Sequence, residues 1–239
     1  MSQWYENNRR LFDAERKSLA AVCPLMRMAV VGPGFQINSV LNLKHESVVA
    51  HGTYILKAPD SKREIEYGIA LVLPSEYPKF PPEMFCNDPK LPIGDINRHI
   101  MNDGRACLGV QADISMRWRS GSTIVEFAEN FVTPFLIWQA YYDVYKKPPP
   151  WGERSHHKQG ILEFYADLLG SPIDASVMDF MRLLARKNRP KGHEPCPCNS
   201  GKRLRICHRD LLYELRERIA WQDVEKDLAF LLRTDITKE

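Results

Sequence analysis

Cys107 sits in the run IMNDGRACLGV, directly behind the tight polar turn Asn102-Asp103-Gly104. Turn chemistry of this kind places the chain at a surface, and a presented thiol becomes a nucleophile as its thiolate. Far downstream, CPCNSGKRLRICH holds Cys196, Cys198, Cys207 and His208 in the pattern C-x-C-x8-C-H. Three thiolates and one imidazole complete a tetrahedral set, the stoichiometry of structural zinc. A redox pair is the weaker reading, because Cys-x-Cys lacks the two-residue spacer of thioredoxin-like sites. Cys23 and Cys86 lie beside apolar residues and read as small core hydrophobes.

The rest of the composition bounds the function classes. The chain has 239 residues, 44% hydrophobic and 26% charged, the balance of an ordinary globular protein large enough to bury a core. Its first residues, MSQWYENNRRLFDAERK, are charged throughout and do not resemble a signal peptide. No run approaches 18 apolar residues, so no membrane partner is expected. Clustered cysteines favour metal and thiol chemistry in a reducing compartment, which predicts the cytoplasm. A net charge of +3 does not by itself imply nucleic acid. Between Arg186 and Arg209 the basic residues face Glu194 alone. Such a patch can meet nucleic acid, meet an acidic protein surface, or simply be the solvated face of a metal knuckle.

The elements that must position these groups follow from pattern. Residues 4–22 read as a helix with Trp4, Leu11, Phe12, Leu19 and Val22 as apolar contributors, ended by Pro24. SVVAHGTYIL and EIEYGIALVLP read as strands joined by the turn KAPDSKRE, with PPEMFCND as a short third strand whose prolines fit an edge or an entry rather than a strand centre. Short connections predict an antiparallel meander. An irregular stretch follows from residue 89, long enough to be functional. Thr123 with Glu126 forms a capping box for a helix that Pro134 interrupts or kinks. KKPPPWG is stiff and extended, and ILEFYADLLG is a helix ended by Gly170. Ser171-Pro172-Ile173-Asp174 reads as the start of another helix, with Ser171 as its cap and Val177, Phe180, Met181 and Leu184 inward. One last helix is expected from about Asp210, through Leu215, Trp221, Val224 and Leu228. There is no internal repeat. The expected class is α+β, with domains at 1–170 and 171–239.

Several of these pieces fall in a recognisable order. YGIALVLPSEYPKFPPEMFC, then HIMNDGRACLGV, then Trp118 and a helix opened by STI, resembles the ubiquitin-conjugating enzyme family over roughly residues 1–165. Tyr77-Pro78, Pro81-Pro82, Asp103-Gly104 and Cys107-Leu108 carry the likeness. The resemblance implies an N-terminal helix, an antiparallel meander, an active-site loop and C-terminal helices. It also implies that Cys107 carries a protein C-terminus as a thioester and passes it to an amine. The family's His-Pro-Asn triplet falls here on Asn97-Arg98-His99. His99 thus stands where the family has the asparagine credited with holding the oxyanion, and it reads as either catalytic or structural. Asn102, Asp103 and Asp113 are candidates for orienting the incoming amine, though polar turn chemistry explains them equally well. With His99 in this place and the stretch PPPWGERSHHKQGILEFY, the chain looks more like the prokaryotic members found in bacterial conjugation and antiphage-defence operons than like the eukaryotic enzymes.

PCPCNSGKRLRICH resembles the SEC-C motif, in which Asn199, Ser200 and Gly201 let the backbone wrap the ion. The result is a helical zinc-knuckle appendage with structural Zn2+ as the implied cofactor. The implied partners are a ubiquitin-like or other activated protein, in one setting a cyclic-oligonucleotide nucleotidyltransferase, together with an activating enzyme and an acceptor protein or amine. An activating enzyme is needed because the chain has no Gly-rich nucleotide loop ending in Lys-Ser/Thr. Two rival readings remain. One is a non-catalytic adaptor with the same fold. The other is a cysteine hydrolase using Cys107 with His99, His156 or His157, which otherwise read as part of a polar rim.

Overall fold

The β-branched and aromatic runs form the two long central strands, β2 (Ser47–Lys57) and β3 (Glu64–Leu73), paired antiparallel with Val48 opposite Leu73. They are flanked by β1 (Met26–Val31) and β4 (Glu83–Cys86), giving an antiparallel four-stranded sheet in the order β1-β2-β3-β4. This is the expected meander with one strand added in front. β1 was not legible because it is short and carries Arg27 in its interior, and its pairing of Met28 with Ala50 is what makes it a strand. The computed structural model describes residues 3–57, 64–119, 121–151, 155 and 157–233. The turn KAPDSKRE and His156 fall largely or wholly outside these residues, as does the side chain of His157.

The helices, in chain order, are α1 (Trp4–Asn7), α2 (Arg9–Val22), α3 (Gln111–Arg117), α4 (Ile124–Phe127), α5 (Thr133–Tyr145), α6 (His157–Leu169), α7 (Ala175–Leu184), α8 (Arg209–Arg218) and α9 (Trp221–Leu232). The class is α+β, as expected. The chain divides into two compact units, Met1–Leu108 with Trp118–Trp151, and Gly109–Arg117 with Gly152–Glu239. A single cut at Ser171 does not coincide with these limits, since α3 and α6 belong to the second unit.

In the first unit the single N-terminal helix proves to be two. Asn8 ends α1 and starts α2, where its side chain accepts the Leu11 N–H at 3.1 Å. Asparagine favours such a cap over a helix interior because its amide competes for backbone groups. Val22 is 53% exposed, so it does not join the core. Glu15 does, despite its charge. Its carboxylate accepts the Tyr77 hydroxyl at 2.6 Å and the Ile124 N–H at 3.0 Å, tying α2 to the start of α4. Trp118 is a packing residue, buried with its indole N–H on the Pro78 carbonyl at 2.9 Å, whereas Trp151 is 60% exposed. Thr123 and Glu126 form the expected capping box. The chain then stays helical to Tyr145, with a wider π-type turn at Ala128–Val132 immediately before Pro134. Such a turn accommodates a proline that lacks an N–H and crowds the preceding turn.

The second unit has its own core, built from Tyr165, Val177, Phe180, Met181, Leu184, Leu204, Leu212 and Val224 among others. The four residues expected to point inward on α7 are all buried. Its cap is Asp174, not Ser171: the Asp174 carboxylate accepts the Ser176 N–H at 2.8 Å. The last helix breaks into α8 and α9 at Ile219 and Ala220, both extended, with Ile219 buried as an anchor between them. Arg216 on α8 donates to the carbonyls of Leu183 and Leu184, satisfying the open end of α7. On α9 two aspartates are buried. Asp223 accepts the Ser115 hydroxyl at 2.6 Å, and Asp227 accepts the Tyr165 hydroxyl at 2.8 Å. Among the described residues no helix is long and apolar enough to cross a membrane.

Candidate functional site

Residues 99–107 form a small hairpin that extends the sheet of the first unit. One arm lies along β4, with the Ala106 N–H on the Met84 carbonyl at 2.8 Å and the Cys86 N–H on the Gly104 carbonyl at 2.7 Å. β4 is the edge strand of the sheet, as its prolines suggested, and this arm pairs along its outer side. The two arms pair through Ile100 and Ala106, and at the base the Cys107 N–H donates to the His99 carbonyl at 2.8 Å. The tip is the turn expected from Asn102-Asp103-Gly104. There the Gly104 N–H bonds the Met101 carbonyl and the Met101 N–H bonds the Arg105 carbonyl, each at 2.9 Å. This pattern requires a residue at positive φ. Gly104 supplies it at φ 82°, and a Cβ there would come within 2.3 Å of Asn38 Nδ2. Asn38 is buried and donates to the Asp103 carbonyl at 3.0 Å, bracing the turn.

Cys107 is half-buried at the base of this hairpin. By contrast Cys23 and Cys86 are buried, and burial pushes the Cys23 thiol up and the Cys86 thiol up to about 12. His99 adopts the left-handed region at φ 57°, ψ 35°, with its ring edge-on to Trp138 at 5.3 Å. The structure thus joins His99 and Cys107 through main chain. Asn102 and Asp103 lie at the tip, where the Asp103 carboxylate accepts the Arg105 N–H at 3.0 Å. Asp113 belongs to α3 in the second unit and pairs with Arg117 at 3.0 Å.

Arg98 and Gln139 are the residues that sequence reasoning missed. Arg98 is 7% exposed and Gln139 fully buried. The Arg98 Nε–H donates to Gln139 Oε1 at 2.9 Å, and Gln139 Nε2 donates back to the Arg98 carbonyl at 2.7 Å. Arg98 Nη2 also lies 2.9 Å from Asp143, and the guanidinium sits 5.2 Å from the Tyr142 ring centroid. An arginine in a polar loop gives no local sign of burial. The partners lie on α5, about forty residues onward.

The second unit carries the knuckle. Cys196 Sγ, Cys198 Sγ, Cys207 Sγ and one His208 ring nitrogen all lie within 4.8 Å of one another. His208 presents Nδ1, 3.3 Å from Cys196 and 3.1 Å from Cys207, and Cys198 and Cys207 are 3.4 Å apart. Tetrahedral zinc with ordinary Zn–S and Zn–N bonds would place its ligands about 3.5–3.8 Å apart, so the set fits such a metal with little adjustment. A short two-sided turn shapes it: Pro195 bridges Arg203, the Cys196 N–H bonds the Lys202 carbonyl at 2.8 Å, and Asn199 and Gly201 both take positive φ. Burial pushes the Cys196 thiol up to about 12. Burial also acts upward on Cys198, but hydrogen bonds from Ser200 and the neighbouring thiols outweigh it and lower that thiol to about 6. Phe180 stands edge-on to the His208 ring at 5.2 Å and fixes its orientation.

Fold and sites define an α+β chain with a half-buried cysteine at a hairpin base in one unit and a Cys3His knuckle in the other. Residues 194–210 match the SEC-C motif, which spans all four knuckle ligands. No curated protein matches the chain.

Proposed function

We propose that the chain is a thioester carrier of the ubiquitin-conjugating type, with Cys107 as the transferring nucleophile. The observation that carries this reading is the setting of Cys107. Its backbone is tied to His99 in a hairpin braced against the sheet, while its side chain is half-buried rather than sealed like those of Cys23 and Cys86. A thiol on such a rim can be reached by two large partners in turn, and sulfur is both a good nucleophile and a good leaving group. The Cys107 thiolate attacks the thioester carbonyl of an activated protein, and the activating enzyme's thiol departs. An amine then attacks the new thioester, loses its proton and expels the Cys107 thiolate. His99 occupies the position of the family's oxyanion donor, and its imidazole N–H is the candidate for that role.

The knuckle in this reading holds one structural zinc. Four protein ligands leave no open position, so the metal serves folding and docking rather than catalysis. Reduced thiols at both sites suit a cytoplasmic setting. The resemblance to prokaryotic members adds a setting in antiphage defence, with a cyclic-oligonucleotide nucleotidyltransferase as the transferred protein.

Incubation with an activated partner should give an adduct that reductant removes. Cys107→Ser should convert it to a reductant-resistant oxyester, because an alkoxide leaves less readily. An adduct on Cys107→Ala would refute the assignment. Absence of any adduct on the wild-type chain would favour the adaptor reading, and turnover of a simple ester would favour a hydrolase.

A further inference from the structure

We infer that the buried Arg98–Gln139 pair is a positioning device that sets the reactivity of the Cys107 thiol. This rests on the reading of Cys107 as the reactive residue. The pair differs from an ordinary internal salt bridge in one respect. The Gln139 carboxamide engages both ends of the same residue, accepting from the Arg98 side chain at 2.9 Å and donating to the Arg98 carbonyl at 2.7 Å. Two bonds to one planar group fix the Arg98 side chain and the peptide plane that leads into His99.

His99 is the next link. Its left-handed conformation is uncommon outside glycine, and such geometry persists only where the surroundings over-determine it. Here the preceding carbonyl is held by Gln139 and the His99 carbonyl by the Cys107 N–H at 2.8 Å. The ring of His99 rests edge-on against Trp138, one residue before Gln139 on α5. A continuous chain of contacts therefore runs from α5 through Arg98 and His99 to the Cys107 main chain, all within the first unit. If the Gln139 donor is lost, the Arg98 carbonyl is freed, His99 relaxes and the base of the hairpin opens. The half-buried thiol becomes more accessible.

The donor can be separated from the rest of the cluster. Gln139→Glu keeps an acceptor for the Arg98 guanidinium and removes the donor to the Arg98 carbonyl, placing a carboxylate against it. Gln139→Met keeps the volume and removes both bonds. Asp143→Asn weakens the ion pair at Arg98 Nη2 and leaves the carbonyl link intact.

The measurement is the rate of Cys107 alkylation by iodoacetamide in the full chain, followed by mass spectrometry of the Cys107 peptide from pH 6 to 9. Circular dichroism melts run alongside, and the Cys23 and Cys86 peptides act as internal controls. Gln139→Glu should alkylate Cys107 at least about fivefold faster with a changed pH profile, Cys23 and Cys86 staying protected. Gln139→Met should do the same, and if it fails to fold, Gln139→Glu alone decides. Asp143→Asn should stay within about twofold of wild type, even where it melts earlier. A Gln139→Glu protein that is folded and alkylates like wild type overturns the inference. So does a Cys107 rate that merely follows melting temperature across all three variants. The assay uses no activated partner, so its outcome is independent of whether Cys107 forms a thioester.

Discussion

Cys107 and His99 stand opposite each other at the base of a hairpin, joined by a main-chain hydrogen bond of 2.8 Å from the cysteine amide to the histidine carbonyl. The contact makes the backbone of His99 part of the cysteine's environment, whatever its ring does. Ring and backbone can therefore be tested separately.

His99→Gly removes the ring and keeps the left-handed backbone, which glycine adopts freely. His99→Val disfavours that backbone and should cost about 1–2 kcal/mol in urea unfolding, whereas His99→Gly should stay close to wild type. If the ring donates to the oxyanion, discharge of the loaded thioester to an amine should slow by about 10²–10³ in His99→Gly with loading intact. Normal discharge would assign the ring to packing against Trp138.

Gly104 is the most constrained position of the tip, with φ 82° and Asn38 Nδ2 within 2.3 Å of a Cβ. Gly104→Ala should displace Asn38 from the Asp103 carbonyl and lower stability by roughly 1–3 kcal/mol. Urea denaturation followed by tryptophan fluorescence measures this. An unchanged midpoint would mean that the turn takes another conformation.

Metal analysis should find one zinc per chain. Structural zinc contributes about 10–16 kcal/mol of apparent binding free energy in finger peptides, so chelation or Cys196→Ser should open the knuckle to protease around residues 194–210. The sheet and hairpin hold none of these ligands, and Cys107 alkylation should change little. Immediate loss of a folded hairpin on chelation would show that the two units fold as one.

Asp227 gives the second unit a pH dependence. Burial raises its carboxyl to about 6, with Asp223 adding to the rise and the Tyr165 hydrogen bond and Lys226 opposing it. Between about pH 4 and 6 the folded state keeps this proton while the unfolded chain loses it. Stability from this group therefore falls as pH rises through that window. A rise of that size corresponds to roughly 3 kcal/mol at neutral pH. Asp227→Asn keeps an oxygen for the Tyr165 hydroxyl and removes the charge. It should raise hydrogen-exchange protection of residues 221–232 at pH 7 more than at pH 4. Equal effects at both values would show that ionisation of Asp227 does not set this dependence.

Features encoded within a few residues were legible from the chain alone. The four knuckle ligands lie within thirteen residues, Cys196 to His208, so spacing and donor type already implied their convergence. The Thr123–Glu126 capping box, the turn at Asn102-Asp103-Gly104 and the strands β2 and β3 were likewise local, set by side-chain chemistry and alternation. Tertiary structure decided what depends on distant partners. β1 is a strand because β2 lies beside it, α3 emerges from a stretch that read as irregular, and one expected helix breaks at Ile219 because that residue is buried between two. Glu15 meets Tyr77 and Ile124 across 62 and 109 residues, and Arg98 meets Gln139 across 41. No local period encodes such pairs. Burying a charged side chain is favourable only when its partners are already in place, and the fold supplies those partners.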